Sequence, residues 1–195
     1  PISESPAVMR LFEAAADAFA AKGFHATTTR DIASRAGLSP AGVYVHFASK
    51  EDLLYQLCRE GHEVARDALA AAAAEAGSPT AALSDVVGTF ARWHAEQHQV
   101  AKIVQYEFRH LSPDHQREVL TLRREIDGVV ERIIAEGVAS GDFHVTDTRA
   151  TALAALSLVV DVARWYHPGI KRTTPEQIGR TYATLALRLV GARED

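Results

Sequence analysis

Ser39-Pro40, Ser78-Pro79, Ser112-Pro113 and Thr174-Pro175 each set a hydroxyl residue directly before a proline. Each pair reads as a helix start. The hydroxyl oxygen accepts an orphan backbone N–H, and proline at the first helical position has no N–H to leave unsatisfied. Thr28 with Asp31, and Ser49 with Asp52, have the spacing of a capping box. Between such starts apolar residues recur at helical intervals, as at Val8, Leu11, Phe12, Ala15 and Phe19. Gly23, Gly77, Gly141 and the Pro168-Gly169 pair read as stops. No stretch alternates cleanly over strand length. The pattern predicts an all-α chain of nine helices, over about 6–22, 29–36, 40–46, 50–75, 79–97, 99–109, 113–139, 147–166 and 175–191.

Composition narrows the class. The chain has 195 residues, 47% apolar and 24% charged, enough to bury a real core. No apolar run approaches the roughly 20 residues that span a bilayer, so a membrane partner is not expected. No basic segment followed by an apolar one marks a secretory signal. A single cysteine, Cys58, excludes an intramolecular disulfide and fits a reducing, cytoplasmic compartment. The start at Pro1 without methionine fits a trimmed leader. Net charge is −4 with pI near 6.2, which argues against wholesale coating of nucleic acid. Residues 1–50 carry five Lys/Arg against four Asp/Glu, or +1, so the remainder carries −5. Contacts to nucleic acid are therefore expected from an N-terminal domain over 1–50, and residues 51–195 form a second domain. The helix over 50–75 is expected to run from one into the other.

Residues 27–50 read TTTRDIASRAGLSPAGVYVHFASK. Two short helices surround Gly37-Leu38-Ser39, the arrangement of a helix-turn-helix. Ala33 is small enough for a close crossing, and Gly37 can take the positive φ of the turn. Ile32, Leu38, Val43 and Phe47 are expected to lock both helices onto Val8, Phe12 and Phe19. Ser39, Pro40, Ala41, Gly42 and Val45 are then left on the outer face. Tyr44, His46 and Lys50 carry donors suited to phosphate oxygens, and a helix N-terminus can enter a major groove. Thr27, Thr28 and Thr29 open the preceding helix, whose amides can also take a phosphate.

The string GLSPAGVYVHFASKEDLL behind ATTTRDIASRA resembles the N-terminal domain of the TetR family of bacterial transcriptional repressors, over about residues 7–55. The resemblance implies an all-α homodimer that binds operator DNA and lets go on binding a small effector. It carries Tyr44, His46 and Lys50 over as phosphate or groove contacts, and Thr28 and Thr29 as backbone contacts. Many relatives place a polar residue where this chain has Pro40, Ala41 or Val45. With no Arg, Asn or Gln on that face, readout is expected to use thymine methyls against Ala41 or Val45, close approach at Gly42, and DNA shape. Arg30 is a candidate for added base contacts.

The second domain is read from its aromatic and charged residues. The helix ending at Tyr166 has only Thr151, Ser157, Asp161 and Arg164 as clearly polar positions, so it is expected to be buried. Ile178, Tyr182, Leu185 and Leu189 make a stripe on the last helix. Both helices suit an intermolecular bundle, and the family resemblance implies a homodimer through the last two helices. Arg164-Trp165-Tyr166-His167-Pro168-Gly169 is similar to a segment of TetR-type regulators of lipid and steroid catabolism that respond to acyl-CoA thioesters. That resemblance implies Arg164 on a CoA phosphate and Trp165 against the adenine or the acyl chain. The alternative is a helix end plugged by aromatics. Further effector candidates are Phe90, Trp93, Val104, Tyr106, Phe108, Arg109, Arg123, Ile126 and Val130, against the alternative of core packing with solvated arginines. Asp161, expected to be a buried carboxylate, needs a partner: a ligand donor or Arg164.

Other chemistry is set aside. His94 and His98 are four apart, but no third ligand completes a metal set. Cys58 lacks a CxxC partner and reads as a buried structural cysteine. No G-x-S-x-G, Gly-rich phosphate loop or H-E-x-x-H is present, which argues against an enzyme, and no cofactor is expected. The modest N-terminal charge argues against an architectural DNA-coating protein. A cavity of roughly 300–1,000 Å³ between the helices over 79–97 and 147–166 would mark a sensor. The effector is expected to be an acyl-CoA thioester, with a neutral aromatic or drug-like molecule as the alternative.

Overall fold

The computed structural model describes residues 5–169 and 173–192. Pro1, on which the trimmed-leader expectation rests, lies outside them. Among the described residues the fold is all helical: α1 (Pro6–Ala26), α2 (Thr29–Arg35), α3 (Pro40–Tyr44), α4 (Lys50–Glu75), α5 (Pro79–Glu96), α6 (His98–Tyr106), α7 (Pro113–Ser140), α8 (Thr148–Trp165) and α9 (Pro175–Leu189), with a 3-10 turn at Phe108–His110 before α7.

The starts form as the hydroxyls dictate. The side chains of Ser39, Ser78 and Thr174 accept from the amides of Gly42, Ala81 and Gln177. Asp147 does the same for α8 through Ala150. Thr28 and Asp31 make a full capping box. Ser49 and Asp52 make half of one: the Asp52 amide donates to Ser49, but the Asp52 carboxylate turns to the Ala48 amide instead. Gly23 breaks α1 with φ 74, and the chain turns once more before Thr27.

The described chain packs as two compact units. The first comprises residues up to 63 together with 99–121, and the second 64–98 with 122–192. The first unit is therefore larger than the 1–50 segment and discontinuous in sequence. Its core joins Leu11, Phe12 and Phe19 of α1 to Ile32, Val43 and Phe47, and also to Ile103, Val104, Leu111 and Val119. Each fully buried Leu, Ile or Phe of this kind stabilises by about 1.5–3 kcal/mol relative to exposure.

In the second unit α5 crosses α9 where two glycines meet. A Cβ on Gly179 would lie 2.8 Å from the Gly88 carbonyl oxygen, so the two backbones are in contact. Leu83, Val86, Phe90, Ile126, Val130, Ile134, Leu156 and Val159 fill the core around this crossing. Among the described residues no helix is long and apolar enough to cross a membrane.

Candidate nucleic-acid interface and effector site

The turn between α2 and α3 is built on Gly37, at φ 68, and closes with Leu38 N–H donating to Ala33 O. Val43 and Phe47 are each 1% exposed and hold α3 to the core. That fixes the opposite face outward. Ser39, Pro40, Ala41 and His46 are exposed, Gly42 is half-buried, and Tyr44 and Val45 are 57% and 78% exposed. An isolated five-residue helix would not hold in water, so its presentation depends on Val43 and Phe47. Arg30 is exposed and Thr29 half-buried on α2, and the Tyr44 hydroxyl donates to Thr29 Oγ1 at 3.3 Å.

Three of the expected phosphate donors are already engaged. Thr27 is buried, and its hydroxyl lies within bonding distance of the carbonyls of Ala18 and Gly23. The Thr28 amide and hydroxyl both donate to Asp31 Oδ2. These bonds, with Lys22 nearby, hold the Asp31 carboxyl below its ordinary value. Lys50 Nζ donates to the carbonyls of Phe24 at 2.6 Å and Thr27 at 2.8 Å, and sits over the Phe24 ring. Burial pushes its pKa down. Two of its three donors thus cap the C-terminal carbonyls of α1, and one remains for a phosphate.

The segment 99–121 is tied to this head by acidic side chains. Glu51 accepts from the Ser112 amide and from His115 Nδ1, each at 2.8 Å. The His115 ring stacks on Tyr55 at 3.7 Å. Glu107 accepts from the Phe24 amide at 3.3 Å.

The expected effector residues divide between the two units. Val104 and Phe108 belong to the first unit's core. Tyr106 and Arg109, from the same segment, are exposed. In the second unit Phe90, Ile126 and Val130 are buried, with Trp93 and Trp165 packed against the same cluster. Arg123 is half-buried on α7.

Asp161 is not the buried carboxylate expected of an apolar helix. Its side chain is 46% exposed and makes two bonds to Arg164, at 2.6 and 2.7 Å. That bidentate pair holds the Asp161 carboxyl below its ordinary value. α8 is also not buried all round: Leu153 and Leu158 are more than half exposed. The α9 stripe divides. Ile178 faces the core and Tyr182 is half-buried, while Leu185 and Leu189 face out. A cavity of about 310 Å³ opens between α5 and α9, lined by Ser84, Asp85, Thr89, Arg92, Glu176 and Arg180 among others, and by none of the expected effector residues. It lies elsewhere than the expected cavity between α5 and α8.

Two family models match the chain. One describes bacterial regulatory proteins of the tetR family and covers residues 11–57, and the other describes a Tetracyclin repressor-like C-terminal domain and covers residues 76–190. The chain belongs to the TetR family of bacterial transcriptional regulators. The HTH-type transcriptional repressor KstR2 of Mycolicibacterium smegmatis is 32% identical over 182 residues, 91% of this chain and 87% of that protein. A tetR-family regulatory protein from Rhodococcus RHA1 superposes with a TM-score of 0.90 at 42% identity, over 97% of this chain and 100% of the other. The ketosteroid transcriptional regulator KstR2 of Mycobacterium tuberculosis superposes with a TM-score of 0.84 at 25% identity, over 96% and 95%.

This TetR regulator is thus a DNA-binding, helix-turn-helix transcriptional repressor, and its family consists of regulators rather than enzymes. One group escaped the sequence reading except as a metal candidate. His94 is 3% exposed on α5, edge-on to Phe90 at 4.3 Å and to Trp93 at 5.1 Å. No cluster of three metal-ligating side chains occurs among the described residues. Burial pushes the His94 pKa down from 6.5 to about 4. Its folded pKa is depressed, so the folded state binds its proton less readily than the unfolded chain. No cost arises above pH 6.5, and stability falls as pH drops toward 4. The shift corresponds to roughly 3 kcal/mol lost across that window. Denaturant melts at pH 7 and pH 4.5 should show most of this loss in the wild type, and a His94→Gln chain should lack it.

Proposed function

We propose that this TetR regulator is a homodimer whose two α3 helices enter successive major grooves of a near-palindromic operator, and that a small apolar effector releases it. The observation that carries the reading is the outward face of α3, where Ala41, Tyr44 and Val45 stand exposed while Val43 is locked inside. Exposed methyls suit thymine contacts, Tyr44 suits a phosphate, and the Arg30 guanidinium, a candidate for base contacts, is equally suited to a phosphate. Two such heads roughly 34 Å apart match one helical turn of DNA. The exposed leucines of α8 and α9 support dimerisation through those helices. A buried cysteine and a DNA target fit action in the cytoplasm.

For the effector we favour an acyl-CoA thioester of lipid or steroid catabolism. The likeness of residues 164–169 to such regulators supports this, as does the similarity to a ketosteroid regulator. Phe90, Trp93, Ile126, Val130 and Trp165 are the residues expected to receive the apolar part, and Arg123 and Arg164 its phosphates. The bidentate Arg164–Asp161 pair favours a second reading, a neutral aromatic effector, because the carboxylate already offsets the charge of that guanidinium. An effector must bind the DNA-released state more tightly, or nothing shifts.

Thermal melting against acyl-CoAs, free fatty acids, steroids and planar aromatics separates the two, since ligands of the folded state raise Tm. A rise with CoA thioesters alone supports the first reading, and a rise with uncharged aromatics alone supports the second. On the DNA side, Tyr44→Ala should weaken operator binding about tenfold and leave the salt slope unchanged, because the lost contact is neutral. Arg30→Ala should instead lower the slope by about one unit. Salt titrations of both variants check the pair, and unaltered affinity in both would remove α2 and α3 as the interface.

A further inference from the structure

Among the described residues, three polar side chains are buried: Thr27, His62 and His94. Thr27 is satisfied by two carbonyls. His62 Nδ1 lies 2.6 Å from Cys58 O, and the ring has further interactions. His94 is different. Its Nδ1 lies 2.9 Å from the Phe90 carbonyl oxygen. A carbonyl only accepts, so Nδ1 carries the proton and Nε2 presents a lone pair. No group of the described residues donates to that nitrogen. Yet no fully enclosed polar atom is left without a partner, so Nε2 borders accessible space. A ring 97% removed from solvent, with an open acceptor between two aromatic rings, has the character of a binding-site polar contact.

We propose that His94 is the polar contact of the effector site, its Nε2 accepting a hydrogen bond from a hydroxyl or amide N–H of an effector whose apolar body packs on Phe90 and Trp93. The inference rests on the reading that the second unit binds an effector, and it adds which chemistry is recognised there. At neutral pH the ring is uncharged, because burial disfavours its protonation. A carboxylate therefore finds no partner at this point, while the amides of a pantetheine arm or a ring hydroxyl do. Free acids are thereby discriminated against relative to their thioesters or to alcohols.

The test is nitrogen NMR of protein carrying 15N-labelled histidine at pH 7. The His94 signals are assigned by their absence from His94→Leu, or from His94→Gln if the first variant does not fold. Probes are octanoyl-CoA, octanoate and 1-octanol. The free protein should show an Nδ1–H tautomer, and Nε2 should move upfield with octanoyl-CoA or 1-octanol but not with octanoate. Movement with 1-octanol alone upholds His94 and overturns the thioester reading of the effector. No movement with any probe, or equal movement with octanoate, overturns the inference. His94→Leu should bind the active probe about tenfold more weakly while melting close to the wild type. A large fall in Tm for both variants, with probe affinity retained, would make the ring purely structural and overturn it as well.

Discussion

Gly137→Ala should lower the stability of the chain by about 3 kcal/mol, or roughly 6–12 °C in Tm for a protein of this size. The expectation runs against propensity, since glycine to alanine inside a helix normally gains up to about 1 kcal/mol. Packing reverses the sign. α7 ends at Ser140, Gly141 takes φ 85, and the returning chain donates Phe143 N–H to Gly137 O at 2.9 Å. The Phe143 ring, 2% exposed, then lies over Gly137, and a Cβ there would be 2.1 Å from Phe143 Cδ2 and 2.4 Å from Cε2. No small adjustment clears such an overlap. The ring must leave its place and forfeit burial worth about 1.5–3 kcal/mol. A Cβ added to Gly128, on the same helix, would meet nothing within 4 Å, so Gly128→Ala should gain a few tenths to 1 kcal/mol. Thermal melts of the two variants side by side check the argument. A Gly137→Ala protein as stable as Gly128→Ala would show that Phe143 is not held where the structure has it.

Leu185→Glu should convert the proposed dimer to a monomer and weaken operator binding about a hundredfold or more. Leu153, Leu158, Leu185 and Leu189 are between 41% and 57% exposed, on the two helices that close the second unit. An unpaired carboxylate brought into a face of leucines costs several kcal/mol of desolvation, with no attraction to offset it. Losing the second reading head then removes the gain from bivalent attachment, of order 10²–10⁴. Sedimentation should find a 21.2 kDa species. Binding to a single half-site should survive, because α2 and α3 belong to the other compact unit. A variant that still sediments as a dimer would place the interface elsewhere.

Much of this molecule is legible in its residues because the signals are local. Caps at Ser39, Ser78 and Thr174, the glycine turn at Gly37 and the breaks at Gly23 and Gly141 each depend on a few neighbouring atoms. All nine described helices lie close to their expected bounds. The outward face of α3 was legible for a similar reason, since Val43 and Phe47 identify the inner one.

What failed to be legible depends on how folding buries or exposes each group, often through partners distant in sequence. Lys50 has the composition of a phosphate contact, yet its ammonium caps carbonyls 23 and 26 residues away. Val104 and Phe108 have the composition of a ligand pocket, but the first unit's core takes them. Asp161 looked buried because its helix is apolar; Arg164 was one of its two expected partners, but only the packing shows that its side of α8 is open. By spacing alone His94 is only half of a metal pair and is set aside; its carbonyl and aromatic partners lie within four residues on α5, but its burial is set by the packing of the second unit. Residue order alone dictates the helices, their ends and the reading face, because hydrogen-bond caps, φ preferences and helical spacing act within a turn or two. Which polar groups are engaged and which stay open is settled by packing, because burial and pairing are properties of neighbours that folding brings together from far along the chain.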